Sequence, residues 1–212
     1  MPRRALRKLD PTLDLSCHLV EFETLTIPFD SSSLFPRQAP LEVEIGSGKG
    51  LFLSGAATET PTHNFLGIEL ATKYAFYAAS RLAQRQLSNA RLLHGDAKRF
   101  FTEFLPDESA DAIHVYFPDP WWKARHKKRR MMTDAMVQQI ERKLKPAGIL
   151  HFWTDVEEYF QTALEVLKSH TKLSGPHEVQ EKPADHDLDY RTHFERRMRK
   201  SNLPVYRAEF RK

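Results

Sequence analysis

From residue 41 onward two hydrophobic periods alternate along the chain. Short apolar runs occupy 41–45, 64–69, 90–94, 112–117 and 149–153, each closing on a glycine, an acidic residue or a proline within a few positions. Between and after them, 51–58, 71–86, 98–104, 134–144 and 156–170 carry apolar residues at helical spacing. The short runs predict strands and the longer stretches predict helices. Strands alternating with helices in this way predict βαβ units, hence an α/β fold whose mainly parallel sheet is covered on both faces. Beyond residue 171 the regularity breaks. Gly175-Pro176 and 182–189 read as loops, a helical piece begins near Thr192, and 205–210 alternates like a last strand. Residues 1–40 read as a lead-in: a basic arm over 1–8, then a loop-rich approach through Pro28, Pro36 and Pro40. No repeat divides the rest, so 41–212 reads as one domain.

Length and composition narrow the picture. A chain of 212 residues can bury a real core. No apolar run approaches the roughly 18 residues of a membrane span, and the first residues lack the apolar core of a signal peptide. Cys17 is the single cysteine, which excludes an internal disulfide framework and a cysteine-rich metal centre. The expectation is a cytoplasmic protein with no membrane partner and no metal. The net charge of +4 is modest, but between Lys123 and Arg130 six of eight residues are cationic. Such clustering suits a nucleic-acid partner.

Candidate chemistry gathers where the strands end. The first strand runs into Glu44-Ile45-Gly46-Ser47-Gly48-Lys49-Gly50. A dinucleotide fingerprint needs its third glycine one residue later, and a P-loop needs Ser or Thr where Gly50 stands. A glycine-rich turn with no ligand is a further reading. Glu69 ends the second strand, where a carboxylate can hold both hydroxyls of a ribose. Asp96 follows the third strand, before Ala97, and is either a ligand for a nucleotide base or a helix cap. Phe117-Pro118-Asp119-Pro120 follows the fourth. Each proline steers its preceding residue away from the helical region, so Phe117 and Asp119 are expected to be extended. All these carboxylates fall on the edge of the sheet where open α/β folds bind ligands. Two later segments also read as helix-capping pairs, Asp155 with Glu158 and Thr192 with Glu195. Trp121 and Trp122 either pack the loop or stack on a base.

The glycine turn with its leading acid resembles the first motif of class I S-adenosylmethionine-dependent methyltransferases. Phe117-Pro118-Asp119-Pro120-Trp121-Trp122-Lys123 with the basic run behind it is similar to the signature of bacterial tRNA (guanine-N7-)-methyltransferases. Thr154-Asp155 and Thr192-His193-Phe194-Glu195-Arg196 are similar to two more motifs of that family, except that many members carry Lys where His193 stands. The resemblance implies a Rossmann-like class I methyltransferase with a seven-stranded, mostly parallel sheet. It implies methyl transfer from S-adenosylmethionine, leaving S-adenosylhomocysteine, to N7 of the variable-loop guanine of tRNA, by a monomer or homodimer. Residue by residue, it implies cofactor contacts at Glu44, Gly46, Gly48, Gly50, Glu69, Asp96, Ala97 and Asp119, with Asp119 also catalytic. Lys123, Asp155, Thr192, His193, Phe194 and Glu195 would meet the target nucleotide. Arg125, His126, Lys127, Lys128, Arg129 and Arg130 would meet RNA. Guanine N7 is an exposed lone pair, so Asp119 suits an aligning and electrostatic role better than that of a general base. Cys17 lies outside the strand-end crevice, which argues against attack on a pyrimidine C5. The rival readings are a methyltransferase acting on another RNA, a protein or a small molecule, and a non-catalytic RNA-binding protein. The full set of strand-end acids speaks against the latter.

Overall fold

The first strand of the sheet is one the hydrophobic pattern does not announce. In the computed structural model, which describes residues 10–121, 129–187 and 189–212, β1 (Leu19–Glu21) pairs in parallel with a strand some seventy residues later. The expected strands follow as β2 (Leu41–Ile45), β3 (Asn64–Glu69), β4 (Ala90–His94), β5 (Ala110–Tyr116) and β6 (Leu144–Thr154). The C-terminal part adds β7 (Ser174–His177) and β8 (Tyr206–Arg211). The order across the sheet is β1-β4-β3-β2-β5-β6-β8-β7, parallel except where β8 meets β6 and β7. The sheet therefore has eight strands and not seven. β1 is only three residues long, too short to show a period. β7 contains Gly175-Pro176, which reads as a breaker, and it pairs with β8 only at Ser174 and His177. The lead-in also feeds the core, because Phe22, Phe29 and Phe35 are buried in the main apolar cluster.

Helices cover both faces. α1 (Leu51–Glu59) and α2 (Thr72–Gln84) pack Leu53, Ala57, Ala75, Ala78, Ala79 and Leu82 against Phe65 and Leu92. The short α3 (Ala97–Arg99), continuing helically to Phe104, lies on the other face. So do α4 (Asp134–Lys143) and α5 (Glu157–His170), which cover Val43, Ile45, Ile113, Val115, Leu150 and Phe152. Alternation along the strands sends a different set to the α1 side: Glu42 and Glu44, His114 and Tyr116, His151 and Trp153, Arg207 and Glu209. That half of the sheet is polar and aromatic. Its register puts Glu44 beside His114, His114 beside His151, and His151 beside Glu209. The last helix, α6 (His193–Lys200), follows Arg191, whose guanidinium lies over the Trp153 ring on this half.

The connection order reverses between β2 and β5. In open α/β sheets the ligand crevice lies at such a switch point, beyond the carboxyl ends of the strands. Glu44 ends β2 there, and Asp119 follows β5 there.

Candidate active site

The turn from β2 to α1 is shaped by its glycines. Gly46, Gly48 and Gly50 all take positive φ. The Gly46 and Ser47 N–H groups donate to the Ile68 carbonyl of β3 at 2.8 and 3.0 Å. At Gly50 two demands coincide, a φ of 65° and a close approach: a Cβ there would stand 2.8 Å from the Ala78 Cβ of α2. No side chain caps α1, which leaves the first N–H groups of the helix open to a ligand.

Two carboxyl groups flank this turn. Glu44 is 3% exposed, and burial pushes its carboxyl up to about 8. The Ser47 hydroxyl opposes the rise without reaching full hydrogen-bond geometry, and the charge of Glu69 adds to it. Glu44 Oε2 is buried with no hydrogen-bond partner among the described residues. An orphaned buried carboxyl oxygen suits a cationic N–H donor, such as the ammonium of an amino-acid ligand. Glu69 folds onto the turn instead: Oε2 accepts the Gly48 N–H and Oε1 the Ala71 N–H, both at 2.8 Å. Each oxygen keeps a lone pair for a ribose hydroxyl. Asp96 caps α3 by accepting the Lys98 N–H at 2.8 Å, yet stays exposed, and Ala97 is buried behind it. Leu70, directly after Glu69, was not singled out by the sequence, yet it is 69% exposed on the lip of the crevice. Its position after the strand-end acid was the available signal. This set of a glycine turn, an orphaned carboxyl, a strand-end carboxylate and an exposed apolar face fits S-adenosylmethionine.

The Asp119 loop leaves the sheet by a conformation the prolines do not foretell. Phe117 has φ 51° and is not extended. Pro118 closes the right-handed helical region to Phe117 but does not choose between what remains. Two contacts make that choice: the Phe117 N–H donates to the Trp153 carbonyl at 2.8 Å, and its ring stacks on Phe194 with centroids 5.8 Å apart. Asp119 then stands exposed on the crevice edge. Arg130 anchors the loop, its Nε donating to the Pro120 carbonyl at 2.7 Å while its guanidinium lies over the Tyr159 ring of α5. That contact ties half-buried Arg130 to the loop, whereas Arg129 is exposed and lies over the Trp121 ring at 5.2 Å. Trp122, Lys123, Arg125, His126, Lys127 and Lys128 lie outside the described residues.

The late motif divides between inside and outside. Thr192 caps α6 by accepting the Glu195 N–H at 3.0 Å. Glu195 is expected to touch the nucleotide, but it is 3% exposed and its oxygens are engaged. Oε2 accepts the Arg191 N–H at 2.7 Å, and Oε1 faces Arg199 and Arg207 at 3.4 and 3.2 Å. Glu195 is thus a hub that fixes α6 to the sheet. Phe194 points outward, 41% exposed. His193 lies between two guanidinium groups, with Nε2 3.4 Å from Arg81 and Nδ1 3.2 Å from Arg196. Asp155 does not cap α5: Val156 holds the N-cap position, and the Val156 N–H donates to Thr154 Oγ1 at 3.2 Å. Asp155 is left half-buried beyond β6, without a hydrogen-bond or ion-pair partner among the described residues.

The sequence reading also missed a tie between the two motifs. Arg191 Nη1 donates to the Tyr116 hydroxyl at 2.9 Å, and its guanidinium lies over the Trp153 ring. Tyr116 immediately precedes Phe117, and Arg191 immediately precedes Thr192. Burial raises the Tyr116 hydroxyl well above its usual range against the pull of Arg191. Arg191 itself is held more firmly protonated, because Tyr116, Glu195 and Glu209 outweigh its burial. The cue was Tyr116's place on the polar side of the strand alternation.

Known proteins bear on this geometry. A family model described as "Putative methyltransferase" matches residues 38–208. The tRNA (guanine-N(7)-)-methyltransferase of Rhodopirellula baltica is 47% identical over 100% of this chain and 80% of its own length. That of Cupriavidus necator is 37% identical over 87% of this chain and 71% of its own. Among solved structures, an antibiotic-related methyltransferase superposes with a TM-score of 0.62 at 14% identity, covering 85% of this chain and 92% of its own. That likeness is one of fold, the Rossmann-like fold of class I methyltransferases. Fold, crevice and full-length identity agree: this chain belongs to the tRNA (guanine-N7-)-methyltransferase family.

Proposed function

We propose that this chain transfers a methyl group from S-adenosylmethionine to N7 of a guanine in tRNA, the one in the variable loop. The observation that carries the proposal is Asp119, an exposed carboxylate delivered by β5 to the switch point where Glu44 and the glycine turn meet it. The cofactor supplies a methyl group made electrophilic by a positive sulfur. Glu44 and the turn would hold its amino-acid end, Glu69 its ribose, and Asp96 with Ala97 its base. The guanine needs no deprotonation, since N7 carries a free lone pair. Catalysis is then largely alignment, with reacting atoms brought to about 3–3.5 Å. Asp119 accepts from the guanine N1 and N2 hydrogens and so aims N7. Its negative charge also favours the purine as that ring becomes cationic. Phe194, stacked on Phe117 and lying against the Arg197 guanidinium, brings a partly exposed ring beside the target, and Asp155 brings a carboxylate. Thr192 and Glu195 hold the segment that presents Phe194.

The test is incubation with labelled S-adenosylmethionine and unmodified tRNA, followed by nucleoside separation. Label is expected in 7-methylguanosine. Label in any other nucleoside, or none, would overturn the substrate assignment.

A further inference from the structure

Around His193 the fold gathers positive charge without enough negative charge to balance it. Arg81 is on α2 and Arg85 caps its C-terminal end, while Arg196 and Arg197 are on α6. His193 lies between the Arg81 and Arg196 guanidiniums, within the field of Lys49 from the glycine turn. Arg81 and Arg196 repel one another across it, and Arg85 repels Arg81. Only one nitrogen of a neutral imidazole can accept a hydrogen bond, so His193 cannot satisfy both guanidiniums at once. Asp187 pairs with Arg196 at 3.0 Å and also with Lys200. Among the described residues no carboxylate pairs with Arg81, Arg85 or Arg197. Arg197 covers the Phe194 ring, its guanidinium 4.7 Å from the centroid. Like charges held together at a cost are relieved by an anion.

The cluster has a definite place relative to Asp119. Phe194, at the start of α6, stacks on Phe117, two residues before Asp119. The other cationic flank, Arg129 and Arg130, adjoins the loop on the α5 side through Tyr159. A guanine inside a polynucleotide has phosphates leading away in both directions. We infer that the cationic cluster between α2 and α6 is a second phosphate-binding surface of this protein, receiving the RNA backbone on the side of the target nucleotide opposite Arg129 and Arg130. The inference rests on RNA being the substrate, as proposed above. Phosphate contacts are made by charge and not by base identity, so the surface contributes grip and register and not sequence choice.

The test uses the full chain with Arg85→Gln and Arg197→Gln combined; both side chains are exposed and outside the cofactor and Asp119 contacts. The affinity for unmodified tRNA is measured across a range of salt concentrations, beside steady-state kinetics. The slope of log K against log salt should fall by about 1 for each phosphate that the variant no longer neutralises. KM for tRNA should rise several-fold, with kcat at saturating tRNA and KM for S-adenosylmethionine unchanged. Arg81→Gln should deepen both effects. An unchanged salt slope with wild-type KM would overturn the inference. Failure of the substrate assignment reads differently, because the unaltered protein would then form no 7-methylguanosine.

Discussion

At the scale of single residues, two carboxyl groups have opposite jobs, and burial decides which does which. Asp119 is exposed, so its charge is available to a guanine. Asp119→Ala is expected to cut turnover at least a hundredfold, roughly the scale of losing one preorganised electrostatic partner. The melting temperature and tRNA affinity should stay close to wild type. Turnover near wild type in that variant would remove Asp119 from the reaction. Glu44 is buried, and its folded-state carboxyl lies near 8 against an ordinary 4.5. A raised carboxyl favours the protonated fold. Its contribution is complete below about pH 4.5 and is lost as pH rises through about 8, at up to about 1.4 kcal/mol per unit. Without cofactor, Glu44→Gln should therefore gain stability relative to wild type as pH rises from 5 to 9, read by thermal melting. Parallel melting curves at both pH values would show that Glu44 is not the buried acid described here.

Between elements, the contact that matters joins β5 to the segment before α6. Tyr116 is buried and Arg191 half-buried; the two share one hydrogen bond, and each precedes a motif that touches the crevice. Tyr116→Phe leaves the Arg191 guanidinium short of a partner, at a cost of roughly 1–3 kcal/mol in stability. The segment from Thr192 to Glu195 should then hold its place less well. KM for tRNA is expected to rise several-fold while the affinity for S-adenosylhomocysteine changes less than twofold. An equal loss for both ligands would mean that the bond supports the sheet alone. Much of this level was legible in the sequence. β2 to β6 announce themselves as apolar runs, and the turn glycines, Glu69 and Asp119 occupy the strand ends where the pattern puts them. What was not legible depends on partners far away in the chain. Phe117 leaves the extended region because of Trp153 and Phe194. Glu195 turns inward toward Arg207 of β8. β1 exists only because β4 offers an open edge. None of these distant partners follows from a local period, so no repeat of apolar and polar positions could mark them.

At the scale of the whole molecule, the two faces of the sheet respond to acid differently. The sheet face under α4 and α5 is apolar. The α1 face carries Glu42, His114 and His151 in one connected row. His114 Nε2 and His63 Nδ1 each lie 2.7 Å from a Glu42 oxygen, and the His114 and His151 rings stack 4.7 Å apart. Burial pushes His151 down to about 2, with His114 and Arg191 adding to the fall. Glu209 stands 3.1 Å from His151 Nδ1 but off the hydrogen-bonding angle. Burial also lowers His114, against the pull of Glu42. A histidine lowered in the fold contributes stability above its unfolded value near 6.5, and that stability drains away as pH falls below it. Two such histidines on one rung should start acid unfolding near pH 6, well above the range of carboxylate titration. His151→Phe isolates one of them, and the cavity of about 310 Å³ that His151 helps line leaves room for the larger ring. Urea unfolding followed from pH 7 to pH 4.5 should then lose stability less steeply, by up to about 1.4 kcal/mol per pH unit. If wild type and variant instead lose stability in parallel over that range, the acid response lies elsewhere, and the polar face of the sheet is not where this fold senses protons.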